Sequence, residues 1–445
     1  MSDTKEILNK IFSHTRLVNN EEYDKRYEKI GLKFNPFPRS GTTNINGSDT
    51  YNERLIPFNE GVKNMLYDFI SMSLQENALD KKDKFISATI TGNYGAGKTQ
   101  LLMYAKYLLG LVATYKEYQK NPYVIYIDNP GASLLELIGT IISKIGEENF
   151  KKSIWNKIIK IITNSDIYKG QLSKFVTTGS ALFPNINPDP YSKENSVSYK
   201  KFLAAFTTYI NNVKVKKDFE DIFKNILIDI LDKDTKDATL SKYFYDLIAD
   251  DYGVNKTWEA LSSGTIKHLD KKEAQIIQYI VKLIKEQGYT DFFILVDEFE
   301  DITEGRLTKA QLDNYIYNLR TLLDEHREWC LLFAMTGNAL KKLKDVSPPL
   351  ADRITNRLIK LQDLNHDEAK VITLNYLNLA KEIDSKELVP FDESGINQLN
   401  ELVEGNARKY LKDSYFIIEK AINLLDEGNM IDSTFITQHY PKDSL

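Results

Sequence analysis

Residues 91–102 read TGNYGAGKTQLL, and the fold turns on what the glycines in that stretch are for. Gly92, Gly95 and Gly97 let the backbone turn tightly and bring successive N–H groups against an anion without Cβ interference. Gly92-Asn93-Tyr94-Gly95-Ala96-Gly97-Lys98-Thr99 satisfies G-x-x-x-x-G-K-[ST] at every required position. Lys98 offers a point charge to the β- and γ-phosphates, and the Thr99 hydroxyl offers Mg2+ a ligand. Gln100 opens the following helix, whose N-terminus adds a partial positive charge. Before the glycines, Phe85–Thr91 (FISATIT) reads as a short buried strand; after them, QLLMYAKYLLGLVATYKEY repeats apolar residues at helical spacing. Strand, glycine loop and helix is the arrangement a phosphate cradle needs. By chance such a match is expected on the order of one or two times in a hundred chains of this length.

Binding does not by itself imply hydrolysis. The stretch FFILVDEFED (292–301) supplies the second half of a site. Its apolar run reads as a buried strand, and Asp297 stands at the carboxyl end, where ligands bind in open α/β sheets. Asp297 is placed to hold Mg2+ through water, and Glu298 to polarise an attacking water. Glu300 and Asp301 read as the charged loop beyond. YVIYID (123–128) and LLFAM (331–335) add two strands. LLFAM runs into Thr336-Gly337-Asn338; a polar side chain there would lie between the loop and Asp297, so Thr336 and Asn338 are candidates for the γ-phosphate or its water, beside the turn-capping role such residues favour.

In this order, the phosphate loop, the Asp-Glu strand and the polar strand tip resemble AAA+ ATPases, on the initiator and clamp-loader side that includes the origin-recognition ATPases. LADRITNRLIKL (350–361) is similar to the stretch in which those proteins carry an arginine finger, which implies Arg357, with Arg353 as the second choice. EGNARKYLKDSYFIIEKA (404–421) resembles their sensor-2 helix, which would turn Arg408 toward the phosphates. GLKFNPFPRSG (31–41) resembles the Asn-Pro-Phe entry of some bacterial ATPases of secretion, transposition and phage defence, and EQGYTDFFILVDEFED looks like ATPases of bacteriophage-exclusion (BREX) loci. The resemblance covers about residues 55–130 and 285–425 and implies ATP and Mg2+ as cofactors. It implies an α/β P-loop NTPase fold of the AAA+/ASCE type: a parallel sheet in the order 5-1-4-3-2, with a large α-helical insertion and a C-terminal α-helical lid. A finger acting in trans would make hydrolysis depend on a homo-oligomer.

Composition sets the outer bounds. The chain has 445 residues, 42% hydrophobic and 27% charged, enough for two or three domains. A net charge of −5 announces no whole-chain basic field for nucleic acid, though it leaves room for a local one. The single cysteine, Cys330, excludes an intrachain disulfide and suits a reducing cytoplasm. The opening MSDTKEILNK lacks the order of a signal peptide, and no apolar run approaches the roughly eighteen residues of a membrane span, so no membrane role is expected.

The expected organisation is an arm at 1–54 with the NPF segment packed near the nucleotide, and a nucleotide-binding core at 55–134 and 286–362. A helical insertion at 135–285 and a lid at 363–445 complete it. The insertion holds a proline-rich loop at 178–198 between helical stretches. Its aromatics, among them Tyr199, Phe202, Phe206, Tyr209, Phe219, Phe223, Tyr243, Phe244 and Tyr245, read as core, and Lys214, Lys216 and Lys217 as a solvated face. With a lid expected at 363–445, no winged-helix DNA reader of the initiator kind is expected after it. Three classes follow: a DNA-associated motor or loader, in phage defence, mobile elements or replication; an ATP-controlled switch that recruits a protein effector through the insertion; and a scaffold that does not hydrolyse, against which the Asp-Glu pair speaks.

Overall fold

The computed structural model describes residues 25–41, 59–74, 86–175, 212–249, 272–303, 307–325, 329–381 and 385–440, with isolated positions at 199, 203, 253, 256, 257 and 383. The expected loop at 178–198 lies outside the described residues, as do Phe202, Phe206, Tyr209 and 42–54 of the arm. The chain divides into two compact units. One comprises Met1–Asn129, Phe293–Arg306 and Trp329–Leu445; the other comprises Pro130–Phe292 and Leu307–Glu328. The segment Leu307–Glu328, expected within the core, thus groups with the helical unit.

The sheet has five strands: β1 (Ile86–Thr91), β2 (Pro122–Ile127), β3 (Asp291–Val296), β4 (Cys330–Met335) and β5 (Leu358–Lys360). Their order is β2-β3-β4-β1-β5, which is 5-1-4-3-2 read from the other edge. β1 pairs in parallel with β4 and β5, and β3 with β4. β3 and β4 are buried along their whole length, as continuous apolar runs are when a parallel sheet is covered on both faces. The register sets Thr91 beside Met335 and Val296 beside Phe333. The loop after β1 and the carboxylates after β3 therefore emerge at the same edge, on either side of the β4 tip.

One face of the sheet is covered by helices Glu60–Leu74 and Lys98–Thr114. Leu66, Phe69 and Ile70 from the first, and Leu101, Leu102 and Leu108 from the second, share a core with Ile90, Leu295 and Ala334 of the strands. The Phe69 ring meets Phe293 edge-on, with centroids 6.4 Å apart.

Helices His366–Leu379, Glu393–Leu402, Ala407–Leu424 and Ser433–His439 form the lid. The described part of the arm belongs to the core of this lid, where its Asn-Pro-Phe segment packs, and its end runs against the sensor-like helix: a Cβ on Gly41 would stand 2.4 Å from the Arg408 carbonyl oxygen. Phe37 stacks on Tyr376 at 5.3 Å and meets Phe391 edge-on at 6.2 Å. Asn35 Nδ2 donates to the Tyr415 carbonyl at 3.1 Å and to Glu419 at 2.8 Å, while the Tyr27 hydroxyl donates to the same Glu419 oxygen at 2.5 Å. Apolar burial drives this docking, and the polar residues fix its register.

The second unit is helical, with helices Leu134–Ile145, Glu147–Asn164, Asp166–Ser173, Val213–Thr235, Ala238–Ala249, Lys272–Glu286 and Lys309–Glu325. Phe219, Phe223, Tyr243 and Phe244 are buried, and Tyr199 stacks on Phe223 at 6.0 Å, so the described aromatics pack a core. Lys214 and Lys217 are exposed. Lys157 pairs with Asp234 at 2.5 Å and with Glu286 at 2.9 Å, and Lys282 also pairs with Asp234, which ties three helices together. These pairs hold the Asp234 carboxyl below its usual range against the opposing effect of burial, which is the largest single influence on it.

Phe37, 3% exposed, is the anchor of the arm. Phe37→Ala is expected to cost about 3–5 kcal/mol, read as earlier unfolding of the lid in denaturant titrations followed by tyrosine fluorescence.

Candidate nucleotide-binding site

The loop after β1 takes the conformation its glycines permit. Gly95 has φ +82° and Gly97 φ +95°, left-handed geometry that side chains rarely adopt. Gly97 is the N-cap of helix Lys98–Thr114 and has no side chain to occupy the first-turn N–H groups, which suits them to an anion. Gly92 is needed for closeness: a Cβ there would stand 2.9 Å from Leu361 Cβ. Lys98 is buried, and its Nζ donates to the carbonyls of Gly92 and Asn93, each at 3.3 Å. Thr99 and Gln100 follow in the first turn, both half-buried.

The carboxylates stand at the tip of β3. Asp297 is 3% exposed, and both of its oxygens are held. The Tyr126 hydroxyl donates to Oδ2 at 2.9 Å and the Glu298 N–H to Oδ1 at 2.9 Å. Burial, and then the Asp297 charge, push the Tyr126 phenol well above its ordinary range, so it remains a donor. Glu298 is exposed and sits at φ +49°, a backbone conformation uncommon outside glycine and typical of functional sites. The fold is that of a P-loop NTPase. Loop, strand order and carboxylate position agree on it, and β4 lies between β1 and β3 as that fold requires.

Glu300 corrects the reading of a solvated loop charge. Its side chain is 15% exposed and lies 3.9 Å from Lys98 Nζ, so the loop lysine faces a carboxylate. Asp301, by contrast, is bound at the exposed surface by Asn129 Nδ2 at 3.3 Å. Neither Glu300 nor Tyr126 was singled out by the sequence; the alternation along β2 places Tyr126 on one face, but nothing in it names Asp297 as partner.

The lid reaches the loop directly. Asn406 caps helix Ala407–Leu424 through Oδ1, which accepts the Lys409 N–H at 3.0 Å, while Nδ2 donates to the Tyr94 carbonyl at 2.7 Å. The Arg408 N–H donates to the Gly95 carbonyl at 3.2 Å. The Arg408 guanidinium lies over the Tyr94 ring, 5.9 Å from its centroid, and donates to the Tyr94 hydroxyl at 3.3 Å. A Cβ on Gly95 would stand 2.6 Å from Asn406 Oδ1, so this glycine serves the lid contact as well as the turn. At the other end of the loop, Asn93 Nδ2 donates to Asp363 at 3.0 Å. The buried Ala96 packs into the sheet core.

The remaining candidates spread out. Thr336 accepts the Ala339 N–H at 3.1 Å and so caps helix Gly337–Val346, with Asn338 exposed in its first turn. Arg353 donates to the Pro349 carbonyl of its own helix at 2.7 Å. Arg357 reaches Met72 Sδ at 3.3 Å. Lys98 and Arg408 therefore stand at the loop, with Asp297 and Glu298 at the β3 tip across β4, whereas the Arg353 contact to Pro349 and the Arg357 contact to Met72 lie elsewhere.

No protein-family description and no curated protein matches the chain. Among solved structures, it resembles the ORC2 protein of Aeropyrum pernix in its ADPNP and ADP complexes, with 12% identity and a TM-score of 0.43. That likeness covers 85% of this chain and 66% of the other. At such a distance it adds nothing to what the strand order and loop already establish.

Asn406→Ala removes both the cap and the tie to Tyr94 and is expected to cost about 1–2 kcal/mol. Asn406→Ser keeps a cap and should recover most of that stability in thermal melts. It should still leave the Arg408 amide exchanging faster than in the unaltered protein, because the Tyr94 carbonyl has lost its donor.

Proposed function

We propose that this chain is a Mg2+-dependent ATPase in which the nucleotide sets the relation between the phosphate loop and the lid. The observation that carries the reading is Asp297, a buried carboxylate with a donor on each oxygen at the tip of β3, in the sheet whose β1 ends in the glycine loop. The fit to a Mg-nucleotide is chemical. A helix N-terminus capped by glycine suits the phosphates, Lys98 their charge, and the Thr99 hydroxyl with Asp297 a small cation that keeps waters and phosphate oxygens as its other ligands. Held by Thr99 and Asp297, that cation would supply neutralisation of phosphate charge. Among the described residues there is no group of three or more His, Cys, Asp or Glu side chains able to hold a metal alone, so the nucleotide itself would supply ligands.

In this reading Glu298, exposed beside Asp297, orients and polarises the attacking water. Thr336 or Asn338 reads the γ-phosphate from the β4 tip. Arg408 exchanges its contact with Tyr94 for the phosphates, which couples occupancy to the lid through the fixed fork of a guanidinium. Arg357, or Arg353, acts on the nucleotide of a neighbouring copy in a homo-oligomer. DNA is the proposed partner, bound without sequence reading, in the manner suggested by the resemblance to initiator ATPases and to phage-defence and transposition ATPases. No described helix is long and apolar enough to cross a membrane.

Steady-state ATP hydrolysis, measured across protein concentration with and without DNA, tests the whole. Specific activity is expected to rise with protein concentration and with DNA, the latter fading as salt is raised. A response to neither, with clear basal turnover, would move the partner from DNA to a protein effector. Lys98→Ala should abolish ATP binding. Glu298→Gln should lower turnover by about 100-fold or more while ATP binding persists; unchanged turnover would remove Glu298 from the mechanism.

A further inference from the structure

The contact between Tyr126 and Asp297 joins residues 171 positions apart and lies next to the proposed cation. Asp297 closes β3, where its backbone N–H still donates to the Ile127 carbonyl of β2 at 2.8 Å. Its main chain is thus fixed by the sheet, but a carboxylate can still rotate about its last side-chain bond, and that rotation decides which lone pairs face the metal. Two donors remove the freedom. The Glu298 N–H takes Oδ1 and the Tyr126 hydroxyl takes Oδ2, each at 2.9 Å. An ionised carboxylate offers about four acceptor sites over its two oxygens, so a donor on each leaves lone pairs for the water shell of a cation.

The two donors differ in kind. The backbone N–H comes with any residue but proline at position 298, whereas the hydroxyl needs a tyrosine at 126. The ring is set by packing: Tyr126 lies partly buried against the core formed by the sheet and helix Lys98–Thr114. Its hydroxyl therefore arrives from a rigid strand, which gives tighter placement than a loop could.

We propose that Tyr126 is a positioning residue for Mg2+, holding the plane of the Asp297 carboxylate so that it meets the hydrated cation without reorienting. The proposal rests on the ATPase reading above. Hydrogen-bond partners of metal ligands are commonly worth about 10–100-fold in metal affinity, and Tyr126 should fall at the lower end, since the Glu298 N–H remains.

The test is a titration of MgCl2 into the full-length protein with a fluorescent ATP analogue, reading the Mg2+ concentration at half-maximal enhancement of binding. Tyr126→Phe keeps the packed ring and removes only the hydroxyl. It is expected to raise that concentration about tenfold, with analogue affinity in EDTA unchanged as the check on folding. Tyr67→Phe is the control for loss of a hydroxyl as such: the Tyr67 hydroxyl, on helix Glu60–Leu74, shares a hydrogen bond with that of Tyr104 at 2.6 Å, and its removal should leave the Mg2+ midpoint unmoved. A shift below threefold in Tyr126→Phe, with the unaltered protein showing clear Mg2+ enhancement, overturns the positioning role alone. Equal shifts in both variants also overturn it, by tracing the effect to general loosening. Absence of Mg2+-enhanced binding in the unaltered protein overturns the ATPase reading and this proposal together.

Discussion

The shared direction of β1, β3 and β4 is the constraint on which everything else depends. Because these strands run in parallel, their carboxyl ends collect on one edge, and each end releases a different chemical element there. β1 releases a glycine loop, β3 an aspartate and a glutamate, and β4 a capped helix. Antiparallel pairing of β4 with its two neighbours would send its capped helix to the opposite edge. Parallel strands need long crossovers, and here the crossover from β2 to β3 carries the helical unit formed largely by Pro130–Phe292.

Charge at that edge is balanced locally. Lys98 lies 9% exposed among two loop carbonyls and the Glu300 carboxylate. A cation so enclosed needs oxygen partners, and the phosphate oxygens of a nucleotide are stronger ones than carbonyls. Asp297 is treated in the mirror sense, as an anion enclosed by donors. The site thus holds one cation and one anion in prepared surroundings, with Glu298 left toward solvent.

What was legible in the sequence is what local chemistry dictates. Gly95 and Gly97 are spelled out because their backbone angles exclude most other residues, and Asp297 because a polar residue ending an apolar run marks a strand tip. Thr336 was legible as a cap, since its hydroxyl needs only an N–H three residues on. Strand order came with the resemblance. Tyr126 and Glu300 were hidden because each acquires its partner through tertiary packing: a tyrosine in β2 gives no local sign that its hydroxyl will cross to β3. The docking of the arm is hidden for the same reason: its Asn-Pro-Phe segment reads as an apolar hook, and Phe37 meets Tyr376 and Phe391 only through tertiary packing.

That hook has a consequence for how the protein is made. The bond from Tyr27 to Glu419 spans 392 positions, and Asn35 reaches equally far. A ribosome must therefore deliver nearly the whole chain before the first described residues find their partners, while Pro130–Phe292 emerges as one continuous run between the two halves of the other unit. Contacts of such separation close slowly. Until they close, Phe37 and the lid's inner face are both uncovered, so the interval between emergence of the arm and emergence of the lid is when the nascent chain is most exposed to wrong partners.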